Sequence, residues 1–336
     1  MLSQGKNKIL HIAGLIILDL GITLAILLLL EVYVRLVHPD IQPAGTARNL
    51  VIDPGFSNSA RLRPGAVGRS DGVLFTVDNL GFWQYSVKSD SAQSGWLLLG
   101  DSVTMGIGID PDSTFAGRLA GGCPYFRILN PSWVGYSSAD YVAVASALLR
   151  DQAIPELTGK IQHVTICWTL NDVYSNCAVS LPPGTTVRNL GSAFLVWLKQ
   201  NYRTYIWLKS MFFDRPHDYF EFDRKFYQAG DPHLVAAIAD LDSLKRLCGS
   251  AGAALDVVFL PYEFQLRSGN RSSRFPQTSV FQALDSLGIR YSDSTPIFTG
   301  SSLSSKSFYR FGDGIHFSKC GHEVLFNYLR QVYCHP

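Results

Sequence analysis

Residues 9 to 34 form a nearly unbroken apolar run, ILHIAGLIILDLGITLAILLLLEVYV. As a helix it would be about 39 Å long at 1.5 Å per residue, enough to cross a bilayer with some tilt. Residues 38 to 70 are instead rich in Pro, Gly, Ser, Asn and Arg without helical period, and read as a linker. The alternation in Val73–Val77, followed by Asp78, Asn79 and Gly81, predicts a short β element. Beyond residue 95, short apolar runs alternate with amphipathic stretches. Trp96–Leu99, Phe126–Leu129, His163–Trp168, Leu255–Leu260 and a weaker run near Ile289–Tyr291 have the length of strands buried on both faces. Helices are predicted over 113–120, 138–150, 233–248 and 318–332; in the third, Leu234, Ile238, Leu241, Leu244 and Leu247 keep a helical spacing. Such alternation predicts a three-layer α/β domain on a parallel sheet, with its ligand site at the carboxyl ends of the strands. Residues 181 to 230 break the rhythm with aromatic and basic side chains and read as a helical insertion or cap. The expected organisation is an anchor over 1–37, a linker and short β region over 38–94, and the α/β domain over 95–336.

Charge orients the anchor. Lys6 and Lys8 precede the run while Glu31 and Arg35 cancel at its far end, so the positive-inside bias keeps the N-terminus in the cytoplasm and the rest outside it, in the periplasm if the cell is a Gram-negative bacterium. The bulky EVYVRLVHP that follows offers no small-residue cleavage site, which favours an uncleaved signal-anchor over a signal peptide. Asp19 falls mid-span, where a carboxylate costs about 2.5–3.5 kcal/mol, and points either to a helix partner or to a charge tolerated in a very apolar helix. The net charge of +2 removes the polyanion-binding classes, so no nucleic-acid partner is expected. Six cysteines in an oxidising compartment permit disulfides, but fifteen full pairings are open. They form no CxxC pair and join no histidine at zinc-ligand spacing, so no metal is expected.

The candidate chemistry sits at the ends of the predicted strands. Gly100-Asp101-Ser102 directly follows the first buried strand, placing a serine where the chain turns into a helix. A serine hydroxyl is a weak nucleophile until a base takes its proton, and the base needs an acid to orient it. Asp313 and His316, three residues apart ahead of the last helix, supply both. Asn171 follows the third strand and is expected to aim its amide at a developing oxyanion; Gly135 follows the second and is expected to offer a backbone N–H, as is Ser102 itself. Taken singly, each has a plainer explanation as a cap or a turn residue. After the fourth strand, Glu263, Gln265 and Arg267 are candidate substrate contacts, and His322, inside the last helix, reads as structural.

With these residues in place the chain resembles the SGNH hydrolase superfamily, the GDSL-type lipases and esterases, over about residues 95 to 336. GDSVTMG resembles the first block with Ser102 as nucleophile, Gly135 the second, Asn171 the third, and Asp313 with His316 the DxxH of the last. The third block departs from the usual GxND in having Thr169 at its first position. The resemblance implies a flavodoxin-like α/β/α sandwich and a serine esterase that needs no cofactor, acting through an acyl-serine on short acyl groups, such as acetyl esters of a small molecule or envelope glycan. An O-acyltransferase that modifies an envelope polysaccharide or peptidoglycan would use the same triad, beside a polytopic membrane acyltransferase partner. A non-catalytic envelope scaffold is the reading from outside the enzymes.

Overall fold

The computed structural model describes residues 2–42, 45–56, 59–87, 94–174, 190–267 and 271–334. The chain forms two compact units, Met1–Pro43 with Asn189–Phe213, and Ala44–Arg188 with Asp214–Pro336.

In the smaller unit, α1 (Leu2–Val37) contains a stretch, His11–Val37, long and apolar enough to cross a membrane. The unit also holds the first part of the expected insertion, as α5 (Leu190–Asn201) and α6 (Arg203–Phe212). Glu31 of α1 accepts from the backbone N–H groups of Arg203 and Thr204 at 3.1 and 2.9 Å, from the Thr204 hydroxyl at 2.8 Å and from Arg35 at 2.7 Å. A carboxylate thus satisfies the first amides of α6, where the helix dipole favours negative charge.

The larger unit is built on five parallel strands, β5 (Ser94–Leu99), β6 (Phe126–Leu129), β7 (Ile161–Trp168), β8 (Ala254–Phe259) and β9 (Arg290–Asp293), in the order β6-β5-β7-β8-β9. This is the doubly wound flavodoxin-like order, in which the connections leaving β5 and β6 run to opposite sides and open a crevice at the carboxyl edge. Alternate residues face alternate layers. Leu97, Leu99, Ile166, Trp168, Val257 and Phe259 pack with residues of α4 (Ser138–Ala145), α8 (Pro232–Ser250) and α10 (Phe275–Leu287). Trp96, Leu98, Cys167 and Val258 pack on the other face with α3 (Phe115–Gly122), α11 (Thr295–Thr299) and α12 (Lys319–Tyr333). Both faces are buried, which is why these strands read as unbroken apolar runs.

The region expected to be a linker is structured. It holds β1 (Val51–Phe56), β2 (Ser59–Leu62), β3 (Val67–Ser70) and β4 (Val73–Thr76), paired as two antiparallel hairpins. Leu50, Leu62, Phe75, Val77, Trp83 and Tyr85 are buried in the same core as α3 and α12. Residues 45–56 and 59–87 are therefore part of the α/β unit; β4 falls in the β element expected over Val73–Val77, whereas β1 to β3 fall in the expected linker, where too few apolar positions at strand period hid them. The β3–β4 turn carries a readable signal, Asp71-Gly72, with both residues at positive φ as a two-residue hairpin demands. The expected insertion is divided: α5 and α6 lie in the smaller unit, α7 (Arg215–Asp223) in the larger, and residues 175–189 lie outside the described residues. Cys123 at the end of α3 and Cys334 after α12 form a disulfide. Cys167 and Cys248 are buried thiols, Cys320 is a half-buried one, and Cys177 lies outside the described residues.

Candidate active site

Ser102 opens the short helix α2 (Ser102–Met105) at the carboxyl end of β5. Asp101 caps that helix, its Oδ1 accepting from the Val103 N–H at 2.8 Å. Gly100 is required by close approach: a Cβ there would lie 2.0 Å from the Thr104 hydroxyl. Ser102 is 6% exposed, so the hydroxyl reaches the site while little of the residue meets solvent.

From the loop before α12, His316 Nε2 lies 2.8 Å from Ser102 Oγ. Its Nδ1 lies 2.9 and 3.0 Å from the two carboxylate oxygens of Asp313. Asp313 Oδ1 also accepts the backbone N–H groups of Ile315 and His316 at 3.0 and 2.9 Å, so one carboxylate folds the loop and orients the ring. An ionised carboxylate only accepts, which places the imidazole hydrogen on Nδ1 and leaves Nε2 to take the serine proton. Burial works against the charged imidazolium, but attraction and hydrogen bonding from Asp313 outweigh it and hold His316 above its ordinary value. For Asp313, burial pushes upward and is overcome by His316 and then Arg310, leaving the carboxyl far below the usual range. Arg310 is itself paired at 2.6 Å with Asp71 of the β3–β4 turn, and its backbone bonds His316 O and Asp313 N. Through that pair the N-terminal hairpins reach the triad loop.

The Asn171 side chain follows β7 and is half-buried, with Nδ2 donating to Asp101 Oδ2 at 2.9 Å. An amide NH2 has two hydrogens, so this bond orients the group and leaves one hydrogen for another acceptor. The Thr169 hydroxyl, with one hydrogen, lies 2.9 Å from Asn171 Oδ1 and 2.8 Å from Asp172 Oδ1, while Asp172 Oδ2 accepts the Thr169 N–H. Burial, and then the nearby Asp101, push the Asp172 carboxyl well above its ordinary value. Gly135 lies in the turn after β6 with φ +79°, a conformation natural to glycine. Ser102, His316, Asp313 and Asn171 are thus joined in one network through Asp101.

The three residues after β8 are placed otherwise than expected. Glu263 is 1% exposed and accepts from Arg267 at 2.7 and 2.9 Å and from Ser305 at 2.5 Å, while its N–H donates to Gly314 O at 2.8 Å. Gln265 is buried between Tyr262 N, Ser273 O and Gln277. Arg267 spans Glu263 and Asp214. Glu263 thereby braces the Asp313–His316 loop, Arg267 braces the start of α7, and Gln265 ties Tyr262 to Ser273 and Gln277. His322 is buried, accepts the Phe115 N–H at 3.2 Å, and burial pushes it down to about 3. Among the described residues, no three of His, Cys, Asp and Glu cluster to hold a metal.

Residues that the sequence reading did not single out also join the site. Asp101 was legible as part of GDS, whereas Asp223 at the end of α7, Tyr174 after β7 and Tyr262 after β8 carry no local signal. The Tyr262 hydroxyl lies 3.0 Å from Asn171 Oδ1 and 2.7 Å from Asp223 Oδ2; Tyr174 donates to Asp223 Oδ1 at 2.6 Å.

Fold and site together define a doubly wound α/β/α protein in which Ser102, His316 and Asp313 are hydrogen-bonded in series. No protein-family model matches the chain, and no curated protein does. Solved structures similar to it include the acetylxylan esterase Axe2 of Geobacillus stearothermophilus, 14% identical, with TM-score 0.43 over 72% of this chain and 95% of that one. A lipase/acylhydrolase of Enterococcus faecalis is 15% identical, with TM-score 0.38 over 71% of this chain and 96% of the other. Likenesses this distant decide nothing about chemistry, which has to come from the chain's own side chains.

Proposed function

We propose that the chain is a membrane-anchored serine esterase of the SGNH type, acting outside the cytoplasm on short-chain acyl esters such as acetyl groups of an envelope glycan. The observation that carries this reading is the continuous relay Ser102–His316–Asp313, with both imidazole nitrogens engaged at 2.8 and 2.9 Å. In this reaction Ser102 Oγ attacks the ester carbonyl carbon while its proton passes to His316 Nε2. Asp313 holds the imidazolium through Nδ1. The carbonyl oxygen, now negative, is met by the second Asn171 amide hydrogen and by the backbone N–H groups of Gly135 and Ser102. Collapse of this intermediate breaks the bond to the alcohol, which leaves with the proton from His316 and an acyl-serine behind. Water, deprotonated by His316, then attacks the acyl carbon, and the carboxylic acid departs as Ser102 recovers its proton.

Anchoring outside the cytoplasm is supported by the apolar stretch His11–Val37, by the lysines before it, and by the Cys123–Cys334 disulfide, which persists in oxidising compartments. Transfer to a sugar hydroxyl in place of water uses the same residues and is the alternative outcome of the test. The test compares wild type with Ser102→Ala for acetate release from a chromogenic acetyl ester, with and without an oligosaccharide acceptor. Ser102-dependent acetate is the expected result. Acetylated oligosaccharide formed at the expense of acetate moves the assignment to acyl transfer, and equal inertness of both proteins on short and medium acyl esters overturns it.

A further inference from the structure

The contacts behind Asn171 do not close without an additional proton. Tyr262 is fully buried and its hydroxyl has one hydrogen, yet it faces two acceptors, Asn171 Oδ1 at 3.0 Å and Asp223 Oδ2 at 2.7 Å. The other Asp223 oxygen is already taken by the Tyr174 hydroxyl at 2.6 Å. Turning the Asn171 amide over does not help, because its oxygen would then face the Asp101 carboxylate, now 2.9 Å from Nδ2. If Asp223 is ionised, one of the two Tyr262 contacts sets lone pair against lone pair in a buried place, which is costly. If Asp223 Oδ2 carries a proton, both Tyr262 contacts are satisfied: Asp223 donates to Tyr262, Tyr262 to Asn171 Oδ1, and Asn171 Nδ2 to Asp101.

We propose that Asp223 and Tyr262 are positioning residues for the oxyanion-binding amide of Asn171, and that they hold it best when Asp223 is a neutral carboxylic acid, its ionisation loosening the amide. This rests on reading the site as an esterase. The groups facing Asp223 are three phenols and a carboxylate: Tyr174 after β7, Tyr262 after β8, Tyr227 beyond α7, and Asp101 after β5. None of the four favours an anion by charge. Burial accordingly pushes Asp223 up to about 6, the two phenol hydrogen bonds opposing and Asp101 adding to it. Because Asp223 closes α7, this helix is coupled to the oxyanion site although it contributes no reacting atom.

The experiment uses the full chain in nanodiscs and measures acetyl-ester hydrolysis from pH 5 to 8 for wild type, Tyr262→Phe, Asp223→Ala and Asp223→Asn, with infrared spectra across the same range. Tyr262→Phe and Asp223→Ala are expected to lower kcat about tenfold with little change in KM, since they loosen a transition-state donor without removing it. Asp223→Asn recovers most of that loss because its N–H replaces the acid proton. The ratio of its rate to the wild-type rate rises as pH passes about 6, where wild-type Asp223 loses its proton. An Asn variant as slow as the Ala variant, or a ratio flat in pH, overturns the proposal. The infrared arm is independent of turnover, so it separates this proposal from the esterase reading. A carboxylic-acid band that titrates near pH 6 in wild type and is missing from the Asn variant is expected, and its absence from wild type overturns the proposal even if no ester is cleaved.

Discussion

The loops after β7 and β8 start alike: each leaves a strand with a fully buried last residue and quickly presents polar side chains. After β7, Thr169 and Asp172 are buried and bond each other, so that Asn171 between them stays half-exposed with an amide hydrogen to spare. After β8, Glu263 and Gln265 are the buried ones, and their partners are the nearby Arg267 together with Ser305, Ser273 and Gln277 from segments further along the chain. One loop delivers a donor to the crevice and the other braces the loop that carries the base. A polar residue at the carboxyl edge of a sheet is thus a candidate for chemistry only if its own hydrogen bonds remain unspent.

The largest test of this contrast is at the nucleophile that the first loop serves. Ser102→Ala should lower kcat by roughly 10⁴- to 10⁶-fold, with folding unchanged by circular dichroism. Asn171→Ala should lower kcat by about 10²- to 10³-fold with KM and melting temperature nearly unchanged, as befits a donor used in the transition state. Glu263→Ala should do the reverse. It strips Arg267 and Ser305 of a buried partner and should cost about 2 kcal/mol of stability by denaturant titration, less than breaking a fully buried pair because Arg267 is partly exposed. The kcat of the folded fraction should change less than tenfold, and a larger loss there with stability intact would place Glu263 at the substrate after all.

A smaller effect comes from pH. His316 must be neutral to act as base and its value is raised, so kcat/KM should climb with pH on the acid side, with its midpoint above the ordinary histidine value and a slope below tenfold per pH unit where Asp223 loses its proton near pH 6. The stability contribution runs the other way: the charged His316–Asp313 pair stabilises the fold below the unfolded histidine value, and this is lost as pH rises through the folded one. Smallest of all should be His322→Gln, with activity within about twofold of wild type, since His322 stays neutral across that range and only receives a backbone N–H.

Ser102, Asn171, Asp313 and His316 were legible because their chemistry needs particular residue types at the ends of strands, and the strands announce themselves as apolar runs. Of the hairpins only β4 was legible; β1 to β3 were not, because they are short and half-polar and the core they join with α3 and α12 is completed far away in the chain. Glu263 and Gln265 are a related case. Their letters suit a binding site, and only the positions of Ser305 and Gln277 show that their hydrogen bonds are spent.

What the sequence determined by itself was the order of buried strands, the long apolar N-terminal helix and the four candidate residues near the strand ends and before the last helix, since periodicity and residue type are local properties. The tertiary structure alone decided which cysteines pair, which polar groups remain available, and that Asp223 meets Tyr262 behind Asn171. Those depend on contacts between segments tens to hundreds of residues apart, where a hydrogen bond is set by geometry that no local pattern records.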